Sequence, residues 1–364
     1  MRSKGSPTRV AYCGPIAQPG QPARGGYESA NRRLIDDLRL RGLDVLEFPY
    51  PVALGTQFGK GFAYARRFAV ILAELVQQRR RFDILHLTPL YRHFLYAETA
   101  LCLIAWSLGK RVVFDIRAGS FIRHYRKRSS LYRTLAEALL RRADMLAVEG
   151  KEDLPFVEAR RDKPILYLPN YVKTHAPQPV SARHDTPIRI AFLGRVVPEK
   201  GIETALRALR ALQDMGMPAH LDVIGEGDES YLHTLAHRTL DLPVKWHGAL
   251  PADVIRPKLA AAHFFIFPTT HDGEGHSNAL TEAMAEGLVP ICSGNGFNRS
   301  VVGECGRVLP MDASGEDYAA AIAAIGTGSA WRSLSEAARS RVAQHFSSDA
   351  VLPELIETYR TVTA

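Results

Sequence analysis

Short apolar runs alternate with longer amphipathic stretches along this chain, and the alternation starts twice. Short apolar runs bounded by turn residues predict buried strands, and the amphipathic stretches between them predict helices on both faces of a parallel sheet. In the first half the predicted strands cover residues 8–13, 44–48, 83–87, 111–115, 145–148 and 165–168. The pattern predicts an α/β fold.

The second alternation begins at residue 188. Its predicted strands are 188–193, 220–224, 244–247 and 264–267, and its predicted helices are 202–215, 229–239 and 278–286. Residues 180–187 are polar and end in proline, which is typical of a linker. The chain is 364 residues long, so we expect two domains, 1–180 and 187–345, which face each other across a cleft, followed by a C-terminal segment 346–364. An amphipathic pattern over 342–362 predicts a helix there.

Charge is distributed unevenly between the two halves. Residues 1–180 contain 30 Lys and Arg against 16 Asp and Glu, whereas residues 181–364 contain 16 against 22. A basic first half predicts an anionic partner. Nucleic acid is not expected, because zinc modules and basic motifs interleaved with aromatic residues are missing.

Two basic segments of the first half, 58–81 and 123–133, are candidates for contact with anionic lipid headgroups. A solvated helix face and a surface loop explain the same residues, so both interpretations stay open. The four cysteines are scattered without a Cys-x-x-Cys pair, and no apolar stretch is long enough for a signal peptide or a membrane span. We therefore expect a cytoplasmic protein that is soluble or peripheral at the inner face of the membrane.

Two cations, Arg195 and Lys200, lie in the turn between the predicted strand 188–193 and the helix that begins near residue 202. Guanidinium, ammonium and helix-terminal N–H groups all stabilise negative charge, so this turn is a candidate diphosphate site. The spacing alone is equally consistent with a solvated turn.

A second constellation follows the apolar run 264–267. Ser277 or Asn278 is a good N-cap for the next helix, whose free N–H groups would form another anion site. Glu282, one turn inside that helix, can accept two hydrogen bonds from a ribose diol, and Glu274 in the preceding loop can contact a transferred sugar. A helix cap with two solvated glutamates is the alternative.

These motifs carry a family resemblance. The sequence resembles glycosyltransferase family 4 in GRVVPEKG (194–201), VIGEGDE (223–229), HGAL (247–250), EGHSNALTEAMAEG (274–287), GGYE (25–28) and LPN (168–170). The resemblance implies the GT-B fold of two Rossmann-like domains, with a C-terminal helix that returns to the first domain. A helix that only caps the second domain is the alternative.

The resemblance also implies roles for individual residues. Arg195, Lys200 and Glu274 are the expected catalytic residues: the two cations hold the donor diphosphate and the glutamate lies beside the donor sugar. Glu282 would hold the ribose. The other expected donor-binding residues are Gly25, Gly26, Gly194, Gly225, Gly227, Gly248, Leu250, Gly275, His276, Ser277, Asn278 and Ala279. Many family members have His-Gly after the strand that corresponds to 112–115, and here we expect Arg117 to occupy or neighbour the place of that histidine.

The implied reaction is retaining transfer of a hexose-type sugar from a nucleotide-diphosphate sugar to a saccharide or lipid-linked acceptor. The leaving diphosphate would take the acceptor proton, so no protein base is needed. No Asp-x-Asp occurs, and the histidines at 263, 271 and 276 lack metal-ligand spacing, so we expect neither a metal nor another cofactor. A nucleotide-sugar epimerase or hydrolase of related fold and a non-catalytic sugar-nucleotide-binding subunit are the alternative functions.

Overall fold

The computed structural model describes residues 8–20, 25–50, 57–117, 119–173 and 187–363, with the backbone alone for residues 57–60. The chain divides into two compact units. Unit 1 comprises Met1–Pro169 and Val351–Ala364, and unit 2 comprises Asn170–Ala350. The predicted linker 180–187 lies outside the described residues except for its last residue, Pro187.

Unit 1 is built on one parallel sheet of six strands in the order β2-β1-β3-β4-β5-β6. The strands are β1 (Arg9–Gly14), β2 (Asp44–Pro49), β3 (Ile84–Leu87), β4 (Arg111–Ile116), β5 (Met145–Val148) and β6 (Ile165–Tyr167). The helices are α1 (Gly26–Leu40), α2 (Gln57–Gln77), α3 (Leu95–Ser107), α4 (Phe121–Arg126), α5 (Ser130–Arg142) and α6 (Leu154–Glu158). Every residue of β3 and β5 is buried, as expected of strands covered on both faces.

Unit 2 repeats this architecture with a six-stranded parallel sheet in the order β12-β11-β10-β7-β8-β9. Its strands are β7 (Ile188–Leu193), β8 (Ala219–Ile224), β9 (Val244–Gly248), β10 (Phe264–Phe267), β11 (Val289–Ser293) and β12 (Arg307–Leu309). Its helices are α7 (Ile202–Asp214), α8 (Glu229–Arg238), α9 (Ala252–Ala261), α10 (Asn278–Ala285), α11 (Asn298–Val302), α12 (Gly315–Ile325) and α13 (Ser329–His345). The predicted α/β fold with two Rossmann-like sheets is confirmed.

The last helix, α14 (Ser348–Thr363), packs into unit 1 from residue 351 onwards, as the family resemblance implied. Its Tyr359 is fully buried, and the hydroxyl oxygen lies 2.6 Å from Nδ1 of His86 on β3. The prediction of one helix over 342–362 is wrong, because α13 ends at His345 and a new helix begins at Ser348. Ser347 starts that helix by accepting the Ala350 N–H through its hydroxyl oxygen at 3.2 Å.

The four cysteines are free and buried, so no disulfide contributes to either unit. None of the helices in the described part of the chain combines the length and the apolar composition needed to cross a membrane.

Replacement of Tyr359 by Phe tests how α14 is attached to unit 1. Loss of the hydroxyl leaves the buried Nδ1 of His86 without its hydrogen-bond donor, so we expect a loss of about 1–2 kcal/mol in the free energy of unfolding. Urea unfolding monitored by circular dichroism measures it. Tyr96→Phe removes the hydroxyl of a side chain that is 45% exposed and should change stability by less than about 0.5 kcal/mol. Equal effects of the two substitutions would contradict the role given to Tyr359.

Candidate functional site

The loops that leave β7, β8 and β9 of unit 2 pack against one another backbone to backbone. The Gly225 N–H donates to the Gly248 carbonyl at 2.8 Å. A Cβ at Gly225 would lie 1.8 Å from the Gly194 carbonyl oxygen, and one at Gly227 would lie 2.3 Å from the Val196 carbonyl oxygen. Glycine is therefore required at both positions for the loops to approach this closely.

The loop after β10 joins this group through Gly201, which precedes α7. Gly201 has a φ of +79°, and a Cβ there would lie 2.2 Å from the Pro268 carbonyl oxygen. Beside it, the Thr270 N–H donates to the Glu199 carbonyl at 2.8 Å. The carboxyl ends of β7 and β10, which are neighbours in the sheet, are thus held together.

Lys200 and Glu274, which are 74 residues apart in sequence, form an ion pair at this edge. Lys200 Nζ donates to Glu274 Oε2 at 2.6 Å, and the Thr269 hydroxyl donates to the same oxygen at 2.8 Å. Their side chains are only 15% and 8% exposed. Two of the three predicted catalytic residues, Lys200 and Glu274, therefore have fixed positions in one partly buried cluster.

Arg195 is exposed near the same cluster, and its positive charge interacts electrostatically with His271. Burial first, and then the positive charges of Lys200 and Arg195, lower the pKa of His271 below its ordinary value. His271 is therefore neutral at pH 7, which leaves Lys200 and Arg195 as the cations of the cluster.

Helix α10 begins at this edge, capped by Ser277, whose hydroxyl oxygen accepts the Leu280 N–H at 3.4 Å. His276 is 4% exposed, and its Nε2 lies 2.7 Å from the Thr281 hydroxyl oxygen. The Asn170 side-chain amide donates to the His276 carbonyl at 2.8 Å. The turn into α10 is thereby fixed from both sides, and its first N–H groups carry the partial positive charge of a helix N-terminus.

The residues that support the loop after β10 were not predicted from the sequence. Asn295 donates to the His271 carbonyl at 2.9 Å, and the Ser293 hydroxyl donates to the Thr269 carbonyl at 2.6 Å. Gly296, at φ +55°, lies so close to Glu274 that a Cβ would be 2.5 Å from its carbonyl oxygen. The run SGNGFN at 293–298, rich in turn residues after an apolar run, was the available signal.

All fourteen predicted site residues of unit 2 lie on these four loops, at the last residue of β9 or in the first two turns of α10. They are Gly194, Arg195, Lys200, Gly225, Gly227, Gly248, Leu250, Glu274, Gly275, His276, Ser277, Asn278, Ala279 and Glu282. The carboxyl ends of strands in a parallel sheet are where such folds bind ligands. The individual roles given to these residues stay predictions.

The other three predicted residues lie in unit 1. Arg117 is 2% exposed at its side chain, and its Nε donates to Asp115 Oδ2 at 2.6 Å. Gly25 is the N-cap of α1 in extended backbone, with open space where a Cβ would be, and Gly26 is the first residue of the helix. The predicted contacts of these three residues with the donor stay predictions.

Asp115 is at the centre of a buried polar network. Burial would raise its pKa, but Arg117 and His86 together hold the pKa below its ordinary value, so the carboxylate is ionised. His86 Nε2 lies 3.1 Å from Asp115 Oδ2, and burial lowers the pKa of His86. A neutral His86 that donates from Nε2 must accept the Tyr359 hydroxyl at Nδ1.

The loop after β3 is held by a second buried carboxyl, that of Glu98. It accepts the N–H groups of Leu90 at 2.6 Å and of Tyr91 at 3.2 Å. Burial raises the pKa of Glu98 to about 8, although these N–H groups act in the opposite direction. The carboxyl is therefore mostly protonated at pH 7.

Residues 187–327 match the family model described as "Glycosyl transferases group 1". Unit 2 therefore contains a glycosyl transferases group 1 domain. The group 1 domain includes every predicted site residue except Gly25, Gly26 and Arg117.

A 113-residue segment of the chain is 38% identical to the amylovoran biosynthesis glycosyltransferase AmsK of Erwinia amylovora. The match covers 29% of this chain and 28% of AmsK, so less than a third of that relative is represented. Over its whole length the chain is similar to the sucrose-phosphate synthase of Thermosynechococcus elongatus, with a TM-score of 0.73, 18% identity, and coverage of 98% and 99%. The Anabaena protein HepE, solved with UDP, gives a TM-score of 0.70 at 15% identity, with coverage of 97% and 100%. The fold is GT-B.

Substitution of Gly201 by Ala tests the close approach of the β7 and β10 loops. A Cβ at this position would clash with the Pro268 carbonyl, and the positive φ is unfavourable for a residue that has a Cβ. We therefore expect the free energy of unfolding of unit 2 to fall by about 2–4 kcal/mol. Gly216→Ala is the matched control, because Gly216 has a φ of +72° and open space around it. It should cost only about 1 kcal/mol. Urea midpoints that coincide for the two variants would show that the contact with Pro268 does not matter.

Glu98 makes the stability of unit 1 depend on pH. Its pKa in the folded state, about 8, lies above the ordinary 4.5, so the folded state binds one more proton than the unfolded state between these values. The contribution of Glu98 to the free energy of unfolding is fully present below pH 4.5. It is lost as the pH rises from 4.5 through 8, by up to about 1.4 kcal/mol per pH unit.

Glu98→Gln should remove this pH dependence, while the exposed Glu158→Gln should retain it. Urea unfolding at pH 5, 6.5 and 8 makes the comparison. Burial also raises the pKa of Asp153 to about 7, which acts in the same direction. The free energy of unfolding of the wild type therefore falls with pH more steeply than Glu98 alone would cause. A Glu98→Gln curve parallel to that of the wild type would contradict this assignment.

Proposed function

We propose that this protein is a retaining glycosyltransferase of glycosyltransferase family 4 that moves a hexose-type sugar from a nucleotide-diphosphate sugar to a saccharide or lipid-linked acceptor. The observation that carries the proposal is the cluster of Lys200, Glu274 and Arg195 beside the N-terminus of α10. This cluster lies inside the group 1 domain, at the sheet edge where ligands bind in such folds.

The cluster suits a leaving diphosphate. As the bond to the sugar breaks, negative charge grows on the β-phosphate, and preorganised cations and N–H groups stabilise that charge without reorganising. Lys200 is already fixed by Glu274, and Arg195 is exposed where an incoming anion can reach it. The diphosphate itself takes the acceptor proton in this proposal, so no protein base or nucleophile is assigned.

The remaining roles follow the family resemblance. Glu282 in α10 would bind the ribose, the loops at Gly225–Gly227 and Gly248–Leu250 would flank the base, and Glu274 would contact the sugar. HepE was solved with UDP and with UDP-glucose, so uridine nucleotides are the first donors to test. Since Lys200 and Arg195 neutralise the diphosphate in this proposal, transfer should proceed in excess EDTA.

The acceptor is proposed from charge and from a relative. AmsK is named for the biosynthesis of amylovoran, which supports a saccharide or lipid-linked saccharide as acceptor. The basic first half of the chain suits an acceptor that is presented at the inner, anionic face of a membrane. We assign no nucleic-acid partner.

Removal of either cation tests the donor site. Arg195→Ala and Lys200→Ala should each lower turnover with a UDP-sugar by about 10²–10³-fold, because each removes stabilisation of the leaving group. Stabilisation of the folded protein by UDP, measured as a shift in melting temperature, should fall as well. Arg207→Ala, an exposed arginine on α7, is the control and should retain both.

The products identify the class of reaction. Retention of the anomeric configuration in a new glycoside supports the proposal, whereas an isomerised nucleotide sugar would indicate an epimerase and free sugar alone a hydrolase. Binding of UDP without any turnover would indicate a non-catalytic subunit. Unchanged turnover in both cation variants would overturn the assignment of the site.

A further inference from the structure

A cluster of cations and aromatic rings in unit 1 contains none of the predicted donor-site residues. The Arg92 guanidinium carbon lies 6.0 Å from the centre of the Tyr91 ring, and that ring meets the His124 ring edge-on at 5.4 Å. Arg128 Nε donates to His124 Nε2 at 2.7 Å. These contacts join Arg92, Tyr91, His124 and Arg128 into one group, which we call the cationic cluster.

The charge of the cationic cluster is not compensated locally. Residues 88–96 and 119–134 contain six Lys and Arg and no Asp or Glu. Among the residues that the structure describes, neither Arg92 nor Arg128 lies within 4.0 Å of a carboxylate, whereas Arg32, Arg117 and Arg160 in the same unit all do. The nearby Glu98 carboxyl, which accepts the Tyr91 N–H, is mostly protonated at pH 7 because burial raises its pKa to about 8. The cations of the cluster therefore attract an anionic ligand.

The backbone at Tyr91 and Arg92 has an unusual conformation that neighbouring residues hold in place. Tyr91 and Arg92 have φ values of +46° and +37°, and they are the non-glycine residues with positive φ in the described ranges. Such conformations cost about 1–3 kcal/mol each and persist when the surroundings impose them. Here the Glu98 carboxyl binds the N–H groups of Leu90 and Tyr91, and the Tyr91 hydroxyl lies 2.5 Å from the Ser120 hydroxyl.

The position of the cationic cluster is that of a ligand site. Arg92 follows the end of β3 by five residues, and Ser120 follows the end of β4 by four. Both therefore lie at the carboxyl edge of the unit 1 sheet, where ligands bind in open parallel sheets. The adjacent strands β3 and β4 bring the two loops together.

Exposed apolar side chains lie on α3 and α5, the helices that supply the neighbours of the cationic cluster. Tyr96 is 45% exposed and its ring meets the Tyr132 ring at 6.2 Å, while Leu131, next to Tyr132 in sequence, is 61% exposed. The Tyr132 ring also meets His124 at 5.7 Å. Cations beside exposed apolar groups suit a ligand with a charged head and an apolar tail.

We propose that the cationic cluster binds the phosphate of a lipid-linked acceptor, with Arg92 as its principal contact and Tyr96 and Leu131 against the adjoining hydrocarbon. The guanidinium fork matches two phosphate oxygens. The inference rests on the proposed function, since it names the chemical class of the acceptor. Glu98 is then a positioning residue that acts through the backbone of Leu90 and Tyr91.

The test uses the full-length protein with saturating UDP, so that the donor site is occupied. Octyl phosphate below its critical micelle concentration, inorganic phosphate and octanol are titrated by calorimetry. We expect octyl phosphate to bind about tenfold more tightly than inorganic phosphate and octanol not to bind. Arg92→Gln should weaken octyl phosphate by about tenfold or more, and Arg92→Lys by less.

Two further variants separate binding from folding and from general charge. Arg92→Gly suits the positive φ, so its stability should equal or exceed that of the wild type while octyl phosphate binding is lost. Arg79→Gln makes the same change of charge beyond the end of α2, at the opposite edge of the sheet, and should bind like the wild type. Stabilisation by UDP should be unchanged in every one of these variants.

Three results would overturn the inference. They are unaltered octyl phosphate binding in Arg92→Gly, equal loss in Arg79→Gln, and binding only to phosphatidylglycerol vesicles, which would assign the cations to a membrane surface instead of a discrete acceptor site. Failure of UDP to stabilise the protein, together with loss of octyl phosphate binding in Arg92→Gly, would instead count against the proposed function and leave the phosphate site standing.

Discussion

Close contact between loop backbones is the constraint on which the candidate donor site depends. The N–H and carbonyl groups of the loops after β7, β8, β9 and β10 bind one another directly, which is possible because Gly201, Gly225 and Gly227 have no side chains. The side chains that carry chemistry then need little adjustment. Lys200 and Glu274, held on loops joined at Gly201 and Pro268, meet at 2.6 Å in a position set by the fold. A site that must stabilise a brief build-up of charge benefits from such preorganisation.

At the corresponding carboxyl edge of its own sheet, unit 1 differs, because its polar groups are buried in hydrogen-bonded networks. Asp115 stays ionised between Arg117 and His86, and His86 in turn binds Tyr359 of the last helix. Breaking one member of such a network leaves its partners buried without hydrogen bonds, so the network resists change. The cationic cluster lies near it and has the opposite character: its cations are uncompensated and in part exposed, which is the condition for binding an external ligand.

The sequence predicted the fold where continuous apolar runs coincide with strands. Ile188–Leu193, Met145–Val148 and Phe264–Phe267 have the predicted bounds, because every position in such a run is buried or nearly so. Two strands were not predicted: β12, which is only three residues long, and β11, which has a proline inside its apolar run. The break between α13 and α14 was missed because the amphipathic pattern continues across it. The pairing of Lys200 with Glu274 could not be predicted, since a contact over 74 residues depends on which strands become neighbours in the sheet.

The net charges of the two halves alone would place the donor diphosphate in the basic first half, whereas the proposed reaction places it in the second. Residues 181–364 are acidic overall, yet the diphosphate is proposed to bind there. Several carboxylates of the second half are already paired, which explains the difference. Asp222 Oδ1 lies 2.6 Å from His247 Nε2, Asp241 pairs with Arg210 at 2.8 Å, and Glu286 pairs with Arg256. A paired carboxylate contributes little electric field beyond its partner. An exposed arginine such as Arg195, which pairs with no carboxylate among the described residues, acts over a Debye length of about 8 Å at physiological salt. The local arrangement of charge, and not its sum over a domain, therefore decides where an anion can bind.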